Sequence, residues 1–110
     1  MNKEQEILSE ITIFNKYAKY VPDLNRRESW EEICNRYRDM MINKYPILEK
    51  DIRINMDWIY SKKVLPSMRA MQFAGKAINK NESRIYNCAF LPIDDYRAFS
   101  ETMFLLLGGT

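Results

Sequence analysis

Apolar residues recur at helical spacing through most of the first 63 positions, which leaves little room for any other kind of element there. Between Glu4 and about Tyr20, the residues Ile7, Leu8, Ile11, Phe14, Tyr17 and Ala18 share one face. Pro22 and the polar stretch Asp23-Leu24-Asn25 end that run. Ser29-Trp30-Glu31-Glu32 has the form of a capping box, in which the Ser29 hydroxyl accepts from the third backbone N–H and Glu32 reaches back. The helix it starts carries Trp30, Ile33, Cys34, Tyr37 and Met41 on one stripe and stops at Tyr45-Pro46. A third helix, from about Leu48 to Lys63, presents Leu48, Ile52, Met56, Ile59 and Tyr60. Residues 1–64 thus read as a helical layer in need of something to cover.

Beyond Val64 the pattern changes. Leu65-Pro66-Ser67-Met68-Arg69 begins with a turn, Ala74-Gly75-Lys76 suggests another near a short helical piece, and the polar Lys76 to Ser83 stretch reads as a loop. Arg84 to Leu91 is the one segment with strand alternation: Tyr86, Cys88 and Phe90 to one side, Ile85, Asn87, Ala89 and Leu91 to the other. After Pro92, Asp94 and Asp95 suit the positive end of a last helix from about Tyr96 to Leu107. That helix becomes steadily more apolar and runs into Gly108-Gly109-Thr110. A lone strand has no partner for its backbone groups, and an apolar helix entering a Gly-Gly turn normally feeds a further element. Together they predict a chain that stops before its fold is complete.

Composition narrows the function more than the fold. The net charge is +2 with both signs interspersed, unlike the clustered basic surface of a nucleic-acid binder. No apolar run is long enough to span a bilayer, and Met1 to Glu6 lacks the apolar core of a signal peptide, so a cytoplasmic protein is expected. The 110 residues contain no histidine, which excludes Ser-His-Asp triads and His-ligated zinc within this chain. The two cysteines, Cys34 and Cys88, are too far apart in sequence for a CxxC pair or a metal knuckle, and no metal site is expected.

Three motifs carry a resemblance. Pro66-Ser67-Met68-Arg69-Ala70, Tyr86-Asn87-Cys88-Ala89-Phe90 and Leu107-Gly108-Gly109-Thr110 together resemble the start of a ribonucleotide reductase catalytic subunit, most closely the adenosylcobalamin-dependent class. Tyr17-Ala18-Lys19-Tyr20 and Arg26-Arg27-Glu28-Ser29-Trp30-Glu31-Glu32 are similar to the helical lead-in of those enzymes. The resemblance implies an α/β fold. A lead-in of about three helices over residues 1–64 would be followed, over 65–110, by the first strand and helix of an incomplete ten-stranded α/β barrel.

It also implies a reaction that makes deoxyribonucleotides by thiyl-radical chemistry. One cysteine becomes the radical, and two others supply two electrons as a dithiol and finish as a disulfide. Cys88 matches the first of the reducing pair; its partner and the radical cysteine would lie in the rest of the reductase chain. Ser67 matches a hydroxyl residue at the substrate's phosphate or ribose, with Ser where the family often has Thr. Asn87 matches the residue lining the substrate beside that cysteine. Gly109 matches a turn whose backbone approaches the nucleotide, although a following Gly is missing. Asp95 falls where a loop contributes to the nucleotide effector site. Adenosylcobalamin is implied for the complete enzyme, with none bound by this stretch alone, and the partners implied are a ribonucleotide, an effector nucleotide and the remaining reductase polypeptide.

Each of these residues also has a plainer reading. Cys88 can be a buried strand cysteine and Ser67 an ordinary turn serine after proline. Gly108-Gly109 can be a helix C-cap, and Asp94 and Asp95 can be capping residues. Cys34, on the stripe with Trp30, Tyr37 and Met41, reads as core. The alternative to a reductase fragment is a small helical interaction module that binds nucleic acid or a protein partner.

Overall fold

A computed structural model describes residues 2–110, so Met1, at the start of the expected lead-in, lies outside the described residues. The elements run α1 (Lys3–Lys16), β1 (Tyr20–Val21), β2 (Arg26–Arg27), α2 (Trp30–Lys44), α3 (Glu49–Tyr60), α4 (Met68–Phe73), α5 (Lys76–Lys80) and α6 (Arg97–Leu107). Short 3₁₀ turns occupy Pro22–Leu24, Pro46–Leu48 and Glu82–Ile85. The Cα radius of gyration, 16.8 Å, exceeds the roughly 13 Å expected of a compact chain of this length, and the longest axis reaches 53 Å.

Local chemistry sets the helix ends. Asn2 and Gln5 form a reciprocal capping box on α1. At α2 the Ser29 hydroxyl accepts from the Glu32 N–H at 3.4 Å, but the Glu32 carboxylate accepts from Ser29 Oγ and from Arg26 instead of reaching back to the Ser29 backbone. The α1 pattern stops at Lys16, earlier than the apolar spacing predicts. Tyr20–Val21 pairs antiparallel with Arg26–Arg27 across a tight turn, which Asn25 closes in the left-handed region at φ 51°. The Tyr20 hydroxyl hydrogen-bonds the Asn25 side chain.

The core lies between α2, α3 and α4. Ile33, Cys34, Met56, Ile59 and Met71 are buried together, with Trp30, Tyr37 and Ile52 packed against them. Each fully buried large side chain there, such as Ile33 or Met56, contributes about 1.5–3 kcal/mol. The Trp30 indole donates to the Tyr60 carbonyl at 3.1 Å, pinning the start of α2 to the end of α3. A second small cluster joins Met40, Ala74 and Ile78. It explains why Lys76–Lys80, expected as loop, is helical: Ile78 is buried only if that segment turns back onto α2.

Two expectations are corrected. The strand expected over Arg84–Leu91 does not form: the segment begins in the 3₁₀ turn and continues as unpaired backbone to Pro92. Among the described residues no second strand lies alongside it to take up its N–H and C=O groups. The α/β expectation falls with it. The fold is mostly helical, and among the described residues the one sheet is the ribbon of two-residue strands β1 and β2, so it is not the start of an α/β barrel. No helix among the described residues is long and apolar enough to cross a membrane.

Candidate functional site

Residues from three distant parts of the chain meet around one guanidinium. Ser67 caps α4, its hydroxyl accepting from the Ala70 N–H at 3.1 Å, and this sets the first turn that carries Arg69. Arg69 Nε donates to Asn87 Oδ1 at 2.7 Å, and Nη1 donates to the Gly109 carbonyl at 3.0 Å. The guanidinium also lies over the Phe73 ring, 5.6 Å from its centre. Cys88, next to the Asn87 that Arg69 holds, is an exposed free thiol.

The Gly-Gly turn is required by its surroundings. A Cβ on Gly108 would come within 2.7 Å of Ser83 Oγ. Gly109 has φ +94°, and with Thr110 it closes α6 in a Schellman arrangement: Gly109 N–H to the Leu106 carbonyl, Thr110 N–H to the Leu105 carbonyl, both at 3.1 Å. The Thr110 hydroxyl donates to the Ser83 carbonyl at 3.2 Å. The C-cap reading of these glycines is thus correct, and the same turn offers its carbonyl to Arg69.

Of the residues singled out from the sequence, Asn87 and Gly109 are therefore bridged directly, Ser67 adjoins them through α4, and Cys88 follows Asn87 in the chain. Asp95 is not joined to them by any of its hydrogen bonds or ion pairs. Its carboxylate accepts from the Arg97 N–H at 3.1 Å and faces Arg97 Nε at 3.6 Å, closing the turn that leads into α6. Asp94, Asp95 and Glu101 share a cleft of about 320 Å³ with Arg97. Its excess of acid suits ribose hydroxyls better than phosphates.

Arg69 is the residue that sequence reasoning passed over. It stood inside the Pro66-Ser67-Met68-Arg69-Ala70 motif, but nothing in the spacing indicates that it would reach residues 18 and 40 positions away. Cys34, by contrast, is fully buried as its helical stripe predicts, and burial pushes its thiol up to about 11.

Fold and site together define a small, mostly helical protein with an arginine-centred polar cluster, one member of which, Asn87, is followed in the chain by an exposed cysteine. Comparison of the chain with protein-family models, with curated proteins and with solved structures finds no match.

Proposed function

We propose that this chain is a substrate-facing part of a ribonucleotide reductase and contributes Cys88 as half of the reducing dithiol. The observation that carries this reading is the convergence of the Ser67–Arg69 turn, Asn87 and Gly109, with the exposed Cys88 following Asn87 in the chain. These are the same three motifs on which the resemblance rests. Arg69 spends Nε and Nη1 on the protein and has no protein acceptor for Nη2 among the described residues, so a donor remains for a substrate oxygen. A guanidinium fixed on two sides is preorganised for an anionic group such as a nucleotide phosphate.

In the reductive step two thiols give up two protons and two electrons: the ribose 2′ C–O bond breaks, one proton leaves with the hydroxyl as water, the other ends in the new C2′–H bond, and an S–S bond forms. Cys88 is one of those thiols. Cys34 cannot be the other, because it is sealed in the core and its thiolate is disfavoured by burial. The second sulfur and the radical cysteine therefore come from further reductase polypeptide, without which the chain is inactive. Adenosylcobalamin is assigned to no residue of this chain: a cleft of about 580 Å³ is lined mainly by aliphatic and aromatic side chains, alongside Gln5, Ser9, Thr12 and Lys62. The cofactor implied by the resemblance would be held elsewhere in the complete enzyme. Asp95 is kept as a contact for the ribose of an effector nucleotide. Two unpaired cysteines suit a reducing compartment, and the cytoplasm is the proposed location.

The second reading, a helical module that docks on a protein partner, predicts a compact fold, whereas exposed apolar surface on α6 supports the fragment. Phe99, Met103, Phe104, Leu106 and Leu107 are all exposed on that helix, and only Ala98 is buried.

The deciding experiment combines the chain with a reductase polypeptide carrying the remaining cysteines and follows deoxyribonucleotide formation with a dithiol reductant. Cys88→Ser should abolish multiple turnover, while Cys34→Ser should leave the rate per folded molecule unchanged. Full turnover by Cys88→Ser would overturn the assignment, and a protein partner captured without any turnover would favour the second reading.

A further inference from the structure

A cleft lined by none of Arg69, Asn87 and Gly109 lies between α1, the start of α2 and the Leu65–Met71 segment. About 580 Å³ in volume, it falls in the range of ~300–1,000 Å³ usual for small-ligand sites. Leu8, Ile13, Leu65, Pro66, Met68 and Met71 line it, and its two methionines can adapt to a flexible guest. One cation borders this apolar space. Lys62 Nζ donates to Ser9 Oγ at 3.2 Å and sits 5.3 Å from the centre of a Trp30 ring. No carboxylate lies within ion-pair distance of it among the described residues. Glu10 and Glu28 share the adjoining smaller cleft with Lys62; Glu28 is engaged by Arg36, and Glu10 is not within ion-pair distance of Lys62. The Ser9 hydroxyl accepts from Lys62 and keeps its own hydrogen for another acceptor.

The backbone at Lys62 gives a second, independent observation. Lys62 N–H bonds the Ile59 carbonyl at 2.9 Å and Lys63 N–H bonds the Trp58 carbonyl at 3.0 Å, which is the Schellman closure of α3. Lys62 therefore occupies the position that Gly109 fills at the end of α6, and it does so at φ 59°. A side chain in that conformation is strained where glycine is free. The strained position is the one that brings an ammonium to the edge of the apolar cleft.

We propose that this cleft binds a single-chain amphiphile with a monoanionic head, such as a fatty carboxylate. The alkyl chain lies against Leu8, Ile13, Leu65 and Met71, and the carboxylate is met by the Lys62 ammonium and the Ser9 hydroxyl. One cation and one hydroxyl match one carboxylate, and they fall short of what a polyphosphate needs.

Isothermal titration of the whole chain with monomeric dodecanoate tests this, with dodecyltrimethylammonium as the probe of opposite charge. Dodecanoate should bind at one site and the cationic probe should not. Lys62→Gly, which relieves the backbone strain and so keeps the α3 end intact, should weaken dodecanoate roughly tenfold or more. Leu8→Trp, at a position on α1 exposed enough to accept a larger ring, should fill the cleft and abolish binding. Absence of dodecanoate binding would overturn the proposal. So would equal binding of the two probes or indifference to both substitutions, which would mean adsorption to the apolar α6.

Discussion

Arg36 and Glu28 form a two-pronged ion pair, Nε to Oε2 at 3.2 Å and Nη2 to Oε1 at 3.1 Å, with both side chains largely withdrawn from solvent. Arg36 also donates to the carbonyls of Ala74, at 3.0 Å, and Tyr17, at 3.3 Å, while Glu28 accepts from the Lys19 N–H at 2.8 Å. One charge pair thus ties together the end of α1, the β-ribbon, α2 and the end of α4. The nearby Lys19 ammonium is held below its ordinary pKa by burial, with Arg36 adding to the effect.

Breaking that pair from one side should be costly, because the remaining charge is left without its partner. Glu28→Gln or Arg36→Met is expected to lose about 3–5 kcal/mol in urea unfolding. Arg53→Ala, which removes only the exposed pair with Glu49, should lose less than about 0.5 kcal/mol. Similar losses for all three would show that Arg36 is not a structural hub.

The Cys34 thiol makes stability depend on pH in the alkaline range. Its folded pKa of about 11 lies above the ordinary value of 9.0, so the unfolded chain releases the proton first. The thiol's contribution is therefore complete below about pH 9 and is lost as pH rises toward 11. Tyr37 and Tyr60, whose pKa values burial also raises, act in the same direction. Cys34→Ala should flatten part of the decline in unfolding free energy over that window, and identical slopes would contradict the assignment.

Thiol labelling distinguishes the two cysteines directly. One equivalent of Ellman's reagent should react with the native chain at Cys88, and the second should react only on unfolding. Prompt labelling of both would mean that the α2–α3 core opens far more readily than its packing implies.

Arg69→Ala should release Asn87 and Gly109 with little change in global stability, since the bonds it makes are exposed: about 1 kcal/mol or less. Amide exchange should quicken at residues 86–88 and 108–110 while α2 and α3 stay protected. Unchanged exchange in both segments would remove Arg69 from its bridging role.

Asn25 holds the β-ribbon turn at φ 51°. Asn25→Val is expected to cost about 1–2 kcal/mol and Asn25→Gly less, since glycine keeps the turn and loses only the Tyr20 hydrogen bond, as read by thermal melting. A tolerated valine would show that the ribbon contributes little to the fold.

Much of the helical part was legible in order along the chain. The apolar stripe through Ile33, Cys34 and Tyr37 has a 3.6-residue period that one helix alone can satisfy, and Ser29 and Tyr45-Pro46 bracket it with local chemistry. The C-terminal half misled for an equally physical reason. Alternation over Arg84–Leu91 states which side chains would share a face, but it supplies no neighbouring strand, and no strand formed. The polar Lys76–Ser83 stretch concealed Ile78, whose burial against Met40 and Ala74 made a helix of its first part.

The sequence by itself determined the helices of the first half, the burial of Cys34 and the glycine turn after α6. Periodicity, caps and φ preferences are properties of residues close together in the chain. Only the tertiary structure decided that Arg69 joins Asn87 to Gly109, that Arg36 and Glu28 tie four elements together, and that Lys62 borders an apolar cleft. Each of these depends on atoms brought together by packing from distant positions, and no local pattern encodes such a distance.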